Sequence, residues 1–192
     1  MTIQLAIATA EHLVYAESIC DLYIQSAKDR GTGIAKRQPA YIRQKMEQEN
    51  GIIALAGEEL AGFCYIEAWT HEKYVANSGL IVAPKFRGMG LGKRIKQKVF
   101  KHARDKYPSA RVFGITTSLA VMNINHSLGY RPVTFSELTQ DEAFWTGCQS
   151  CPNYDILQRN ERKLCLCTGM LAPSKEEAMK VDLGHLIVEK KK

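Results

Sequence analysis

No apolar run in the 192 residues is long enough to cross a bilayer, which takes about 18. A spanning helix is therefore not expected. The opening segment, MTIQLAIATAEHLVYAESIC, lacks a basic start and carries Glu11 and Glu17 inside its apolar pattern, which argues against an export signal. There is no internal repeat and no low-complexity linker, and only the terminal EKKK reads as disordered. Acid is scarce in one place. From Lys85 to Lys106, nine Lys or Arg residues face a single acid, Asp105, while acids slightly outnumber bases in the rest of the chain. That segment carries the whole formal excess of +6. Cysteine is limited to six, and a cytoplasmic location with mostly reduced thiols is expected.

What is present is ordinary for a globular chain: 45% hydrophobic and 24% charged residues, enough to bury a core without staples. One domain, or one domain with an elaboration, is expected. Thr2–Ala8 reads as a strand. Thr9 then caps a helix whose apolar residues recur from Leu13 to Ala27 and which stops at Gly31. A glycine-rich basic loop, Gly31–Gln38, leads to a helix opened by Pro39 and ended by Asn50-Gly51. Ile52–Gly57 and Leu60–Trp69 read as an antiparallel pair, and Ser78–Val82 as a third strand. A helix follows with Leu91, Ile95, Val99 and Ala103 on one stripe. Beyond it come a strand at Arg111–Thr117, a short helix at Ala120–Leu128 and a strand at Tyr130–Leu138. The order β-α-α-β-β-β-α-β-α-β implies a mixed sheet flanked by helices.

The segment PKFRGMGLGKRIKQKVF, from Pro84 to Phe100, has the glycines of a phosphate-binding loop. A nucleotide-triphosphate loop ending at Gly92-Lys93 would need glycine at position 87 and Ser or Thr at 94, and arginine stands at both. A dinucleotide fingerprint starting at Gly90 would need glycine at position 95, which is isoleucine. The pattern present is R-x-x-G-x-G, formed by Arg87, Gly90 and Gly92 after a strand ending LIVAP. In this setting the chain resembles the GNAT superfamily of acyl-CoA-dependent N-acyltransferases, from about Ile3 to Leu138.

The resemblance implies a mixed, mostly antiparallel sheet that splays between its fourth and fifth strands. Residues 1–138 would form the acyltransferase core. Residues 139–192 would extend the same domain and add a last strand at about 163–170. The resemblance further implies that the backbone of Arg87, Gly88, Met89, Gly90, Leu91, Gly92 and Lys93 holds the CoA diphosphate, as unpaired amides at a helix N-terminus favour anions. Lys93, Arg94 and Lys96 would add counter-charge. The open backbone edge of Leu80, Ile81 and Val82 would receive the pantetheine arm. Asn123 and Asn125 would also touch the cofactor. Members of the family often place a tyrosine four residues before the glycine of G-[FY], but before Gly129-Tyr130 that position is Asn125.

Amine attack on a thioester needs a base. Glu67, with His71 and Glu72 close behind, is the candidate, unless it is a solvated strand-face carboxylate. His126 is a candidate acid for the leaving thiolate, unless it is an ordinary histidine. Arg30, Lys36 and Arg37, with Arg43 nearby, would suit a carboxylate-bearing acceptor if they are more than scattered surface charge. The stretches ITTS and LGYRPVTFSELT are also similar to the acyltransferase domain of N-acylglutamate synthases. Together these point to a small acidic amine such as glutamate and a role in amino-acid biosynthesis. A protein or peptide acceptor is the alternative. Cys148, Cys151, Cys165 and Cys167 would hold a structural zinc if Lys163–Met170 is a strand that presents the last two on one face. Otherwise they are buried or redox thiols. A zinc-stabilised module without catalysis is the reading of another class. The expected partners are acyl-CoA and a small amine, with no nucleic acid and no membrane. The oligomeric state is open, a homodimer included.

Overall fold

The computed structural model describes residues 2–30 and 34–180, the side chain of Arg30 excepted. The start of the basic loop and the terminal EKKK lie outside this set. Seven strands form one sheet: β1 (Gln4–Ala8), β2 (Gly51–Ala56), β3 (Glu59–Trp69), β4 (Tyr74–Val82), β5 (Arg111–Thr116), β6 (Arg131–Val133) and β7 (Thr168–Ala172). Their spatial order is β1-β2-β3-β4-β5-β7-β6, and only the β4–β5 contact is parallel. The helices are α1 (Ala16–Arg30), α2 (Pro39–Glu47), α3 (Leu91–Lys106), α4 (Leu119–Ser127), α5 (Glu142–Thr146) and α6 (Tyr154–Arg159). The mixed sheet expected from the sequence is thus present.

β2, GIIALA, has apolar residues on both of its faces, and both are covered. Ile52, Ala54 and Ala56 pack against Leu91, Ile95, Val99 and Ala103 of α3. Ile53 packs with Ile19 and Tyr23 of α1 and with Ile42 and Met46 of α2. The period of two along the strand therefore sends alternate residues into cores on opposite sides of the sheet. A third cluster, around Phe113, Phe135, Trp145, Leu157 and Leu171, joins the C-terminal segment to β5 and β7.

The parallel pairing of β4 with β5 covers three positions only, Tyr74 with Arg111, Val75 with Val112 and Ala76 with Phe113. Beyond Ala76 the strands part, and the splay expected between the fourth and fifth strands is there. Four elements differ from expectation. Thr9 caps a 3-10 helix (Ala10–Tyr15), and the α-helix expected directly after it starts only at Ala16. β4 begins at Tyr74, not Ser78, because its first residues pair back onto Ala68 and Trp69. The strand expected over 130–138 stops at Val133. There Thr134 opens a 3-10 turn (Phe135–Glu137), its N–H donating to the Glu137 carboxylate at 3.1 Å. The last strand is Thr168–Ala172, not 163–170, and it lies between β5 and β6.

Candidate active site

The glycine loop leads straight into α3. Gly88 and Gly90 have φ of +76° and +72°, left-handed values that a Cβ opposes. Gly90 is the N-cap, and no side chain bonds the first amides of α3. Among the described residues the backbone N–H groups from Gly88 to Lys93 have no hydrogen-bond partner, as the first amides of a helix lack one within it. Met89 is 62% exposed at the loop tip, whereas the side chain of Leu91 is buried in the core. The Arg87 guanidinium is taken up within the protein. It donates to the Val82 carbonyl at 3.1 Å and to Ser26 Oγ at 2.9 Å, and lies 3.9 Å from Asp29. It braces the loop between β4 and α1.

Past the strand split, the backbone of Asn77–Val82 has no β5 partner. A cavity of ≈ 630 Å³ lies here, walled by both parted strands, α1, α2, α4 and the C-terminal segment. Leu80 lines it; Ile81, Val82 and the glycine loop do not. At Gly79, with φ +64°, the β4 backbone bends, and its carbonyl accepts a hydrogen bond from the Tyr23 hydroxyl. A Cβ there would sit 2.4 Å from the Tyr65 ring, so only glycine fits.

Asn125, at the position of the missing tyrosine, is buried and lines the cavity. Its Nδ2 donates to Met170 Sδ at 3.6 Å, and among the described residues its Oδ1 has no partner. Trp69 Nε1, in the same wall, is likewise an orphaned buried donor. Such atoms cost free energy unless something fills their bonding capacity. Asn123 and His126 are exposed on α4, and neither reaches the cavity.

Five other predicted residues can be placed. Glu67 lines the cavity and is ion-paired, its Oε1 lying 2.5 Å from Lys45 Nζ with both side chains largely buried. His71 and Glu72 are exposed in a turn outside the cavity. Lys36 is an exposed lining residue. Arg37 lies deeper. Its Nε donates to the Tyr65 hydroxyl at 3.0 Å, its Nη1 to the Ala35 carbonyl, and its guanidinium stacks 4.6 Å from the centre of the Tyr23 ring. Among the described residues no carboxylate pairs with it. Arg30 has no described side chain.

Lys96 is a correction. It does not offer counter-charge at the loop; it is 2% exposed beneath the strand split, its Nζ 3.0 Å from Asn77 Oδ1. The signal was in the sequence, since Lys96 falls in register with Val99, Phe100 and Ala103, inside the apolar stripe. Tyr23, Tyr41, Tyr65, Trp69 and Asn77 also line the cavity without having been singled out. They come from four elements, with only Tyr65 and Trp69 sharing one, β3, and no local spacing joins the rest.

The zinc expectation is also corrected. The strand that was to align Cys165 and Cys167 starts only at Thr168, and the Cys165 thiol instead faces the Asn153 carbonyl at 3.9 Å. Among the described residues, no group of three or more His, Cys, Asp or Glu is arranged to hold a metal ion. Cys148, Cys151, Cys165 and Cys167 line the cavity as free thiols. Burial, reinforced by neighbouring cysteines, pushes Cys148 up to about 11 and Cys167 up to about 12.

Comparison with known proteins places this architecture. The profile of the acetyltransferase (GNAT) family matches residues 16–125. A thialysine N-epsilon-acetyltransferase of Caenorhabditis elegans is 30% identical over 110 residues, or 55% of this chain and 66% of that protein, just under two thirds of its length. Among solved structures, N-acetylglutamate synthase from Neisseria gonorrhoeae, complexed with coenzyme A and N-acetyl-glutamate, is similar at a TM-score of 0.64 and 15% identity. The match covers 91% of this chain and 35% of that one. A phosphinothricin acetyltransferase from Sinorhizobium meliloti, in complex with AcCoA, is similar at 0.62 and 18% identity, over 92% and 90% of the two chains. The chain belongs to the acetyltransferase (GNAT) family.

Proposed function

We propose that this chain transfers an acetyl or other short acyl group from acyl-CoA to the primary amine of a small acceptor that carries a carboxylate, glutamate being the model acceptor. The observation that carries the acceptor assignment is Arg37. A guanidinium held between tyrosines in a cavity wall, with no carboxylate beside it among the described residues, is suited to a substrate carboxylate in a bidentate contact. The amides of Gly88–Lys93 would hold the CoA diphosphate, and the free edge of Leu80–Val82 the pantetheine arm. Asn125 Oδ1 and Trp69 Nε1 are a buried acceptor and donor with capacity for bound ligands.

Acyl-CoA supplies a thioester, whose carbonyl carbon takes the amine. Glu67 would remove the amine proton, a role supported by its position in the cavity wall, where it pairs with Lys45 and Tyr41 stacks against that lysine at 4.6 Å. Backbone N–H groups on the parted edge of β4 would stabilise the oxyanion that develops. Six free thiols suit a reducing, cytoplasmic setting, and amino-acid biosynthesis suits the acceptor.

The test is thiol release from several acyl-CoA donors against the twenty amino acids. Turnover highest with acidic acceptors is expected. Arg37→Ala should raise the acceptor KM by about 10- to 100-fold and leave the acyl-CoA Kd unchanged, in line with loss of a charge-assisted contact. An unchanged acceptor KM would remove the carboxylate assignment.

A further inference from the structure

Lys96 is an ammonium group enclosed by neutral neighbours. Its Nζ lies 3.0 Å from Asn77 Oδ1 and 3.5 Å from the Asn77 carbonyl, and among the described residues no carboxylate pairs with it. Asn77 is the first residue of β4 past its last pairing with β5, so Lys96 sits where the sheet opens. The same asparagine accepts from the Cys64 thiol at 3.1 Å, and its Nδ2 is 3.4 Å from the Tyr130 hydroxyl. Both Lys96 and Asn77 line the cavity. A buried cation without a counter-anion is costly. A reaction that releases a thiolate in the same cavity supplies the missing anion. Lys93, Arg94 and Lys98, on the same helix, are exposed and serve no such purpose.

Resting on the acyltransfer reading above, we infer that Lys96 is the proton donor to the departing thiolate. The C–N bond forms as the C–S bond breaks with its electron pair on sulfur. Lys96 delivers one proton to that sulfur and becomes a neutral amine. The attacking nitrogen gives one proton to Glu67, and solvent then takes that proton from Glu67 and returns one to Lys96, which resets both groups. Burial lowers the pKa of Lys96, which brings the ammonium toward the range of a thiol, near ~8.5, and favours transfer. The titratable groups facing it are Cys64 from β3, pushed up to about 11 by burial, and Tyr130, raised by burial behind Asn77. Both stay protonated at neutral pH and leave Lys96 as the acid.

Lys96→Met removes the charge and keeps an apolar stem in an apolar stripe. Lys96→Gln keeps a donor for Asn77 but cannot deliver a proton. For both variants kcat is expected to fall by about 10²-fold or more with KM little changed. A second readout needs no turnover. The ultraviolet thiolate absorbance of bound CoA, taken as the difference from bound desulfo-CoA, should titrate at higher pH in both variants than in the wild type, because the ammonium favours the thiolate. Full activity in Lys96→Gln, or identical thiol titrations in all three proteins, would overturn the inference while leaving acyltransfer intact. A wild-type protein that turns over no acyl-CoA with any amine would overturn both. If Lys96→Met fails to fold, Lys96→Gln and the titration decide.

Discussion

At the scale of single residues, the cavity is defined by side chains whose surroundings deny them an ordinary partner. Arg37 has tyrosines where a carboxylate would be expected, and Asn125 Oδ1 and Trp69 Nε1 have nothing. Gly79 is the reverse case, a residue fixed by what cannot be added to it. Its φ of +64° disfavours any side chain, and a Cβ would collide with Tyr65 at 2.4 Å and the Tyr23 hydroxyl at 2.6 Å. Gly79→Ala should therefore destabilise the fold by about 2–4 kcal/mol, combining backbone strain and overpacking. Urea denaturation would measure this. A loss below 0.5 kcal/mol, on the same scale of strain, would show that the bend relaxes at little cost. The positions that sequence periodicity revealed best are the apolar ones on α3, because a helix repeats its environment every turn. The polar ones misled. Lys96 reads as surface charge by composition, although its register with Val99, Phe100 and Ala103 puts it in the buried stripe.

At the scale of elements, the helical turn at 175–180 is held to the body by ion pairs. Lys175 reaches Asp105 at 2.8 Å, and Arg111 holds Glu177 at 2.7 Å. Glu177 also accepts the Ser174 amide at 2.9 Å. The ammonium groups of Lys101 and Lys175 lower Asp105 from 3.8 to about 2, and Arg111 lowers Glu177. A carboxylate depressed in the folded state stabilises it above the unfolded pKa and loses that contribution as pH falls through the folded value. This attachment should hold at pH 5 and above, and weaken between about pH 4 and pH 2. Amide exchange at residues 175–180, followed across that range, would show it. The pairs are exposed, so each contributes at most about 1 kcal/mol, and Glu177→Gln should loosen the turn without unfolding the protein. Exchange that is flat with pH would mean the turn is held by other contacts. Elements of this kind, like the hairpin of β2 and β3, were legible where turn residues and alternation agree. β4 was read four residues short, since its beginning is specified by pairing with Ala68 and Trp69 rather than by its own pattern.

At the scale of the whole molecule, the C-terminal segment completes the sheet. β7 pairs with β5 on one side and β6 on the other, and Met170, Leu171 and Ala172 are buried between them. A chain ending at Cys167 would lose both ladders at once and open the core around Trp145 and Leu157. It should fail to fold cooperatively, with loss of near-ultraviolet circular dichroism. A truncated chain with a sharp native-like transition would show that the first six strands suffice. The split of β4 from β5, the cavity beneath it and the four thiols in its wall are likewise properties of the assembled sheet. None of them has a counterpart in a local run of residues.

By itself the sequence determined the glycine loop, the helix that follows it and the overall alternation of strands and helices. These rest on backbone conformation, capping and short-range periodicity, which act over a few neighbouring residues. The tertiary structure alone decided that, among the described residues, no carboxylate meets Arg37 and no metal centre forms at the cysteines, that Lys96 is enclosed at the strand split and that β7 enters between β5 and β6. Those outcomes depend on which distant segments meet, and burial, pairing and charge compensation exist only once they have met.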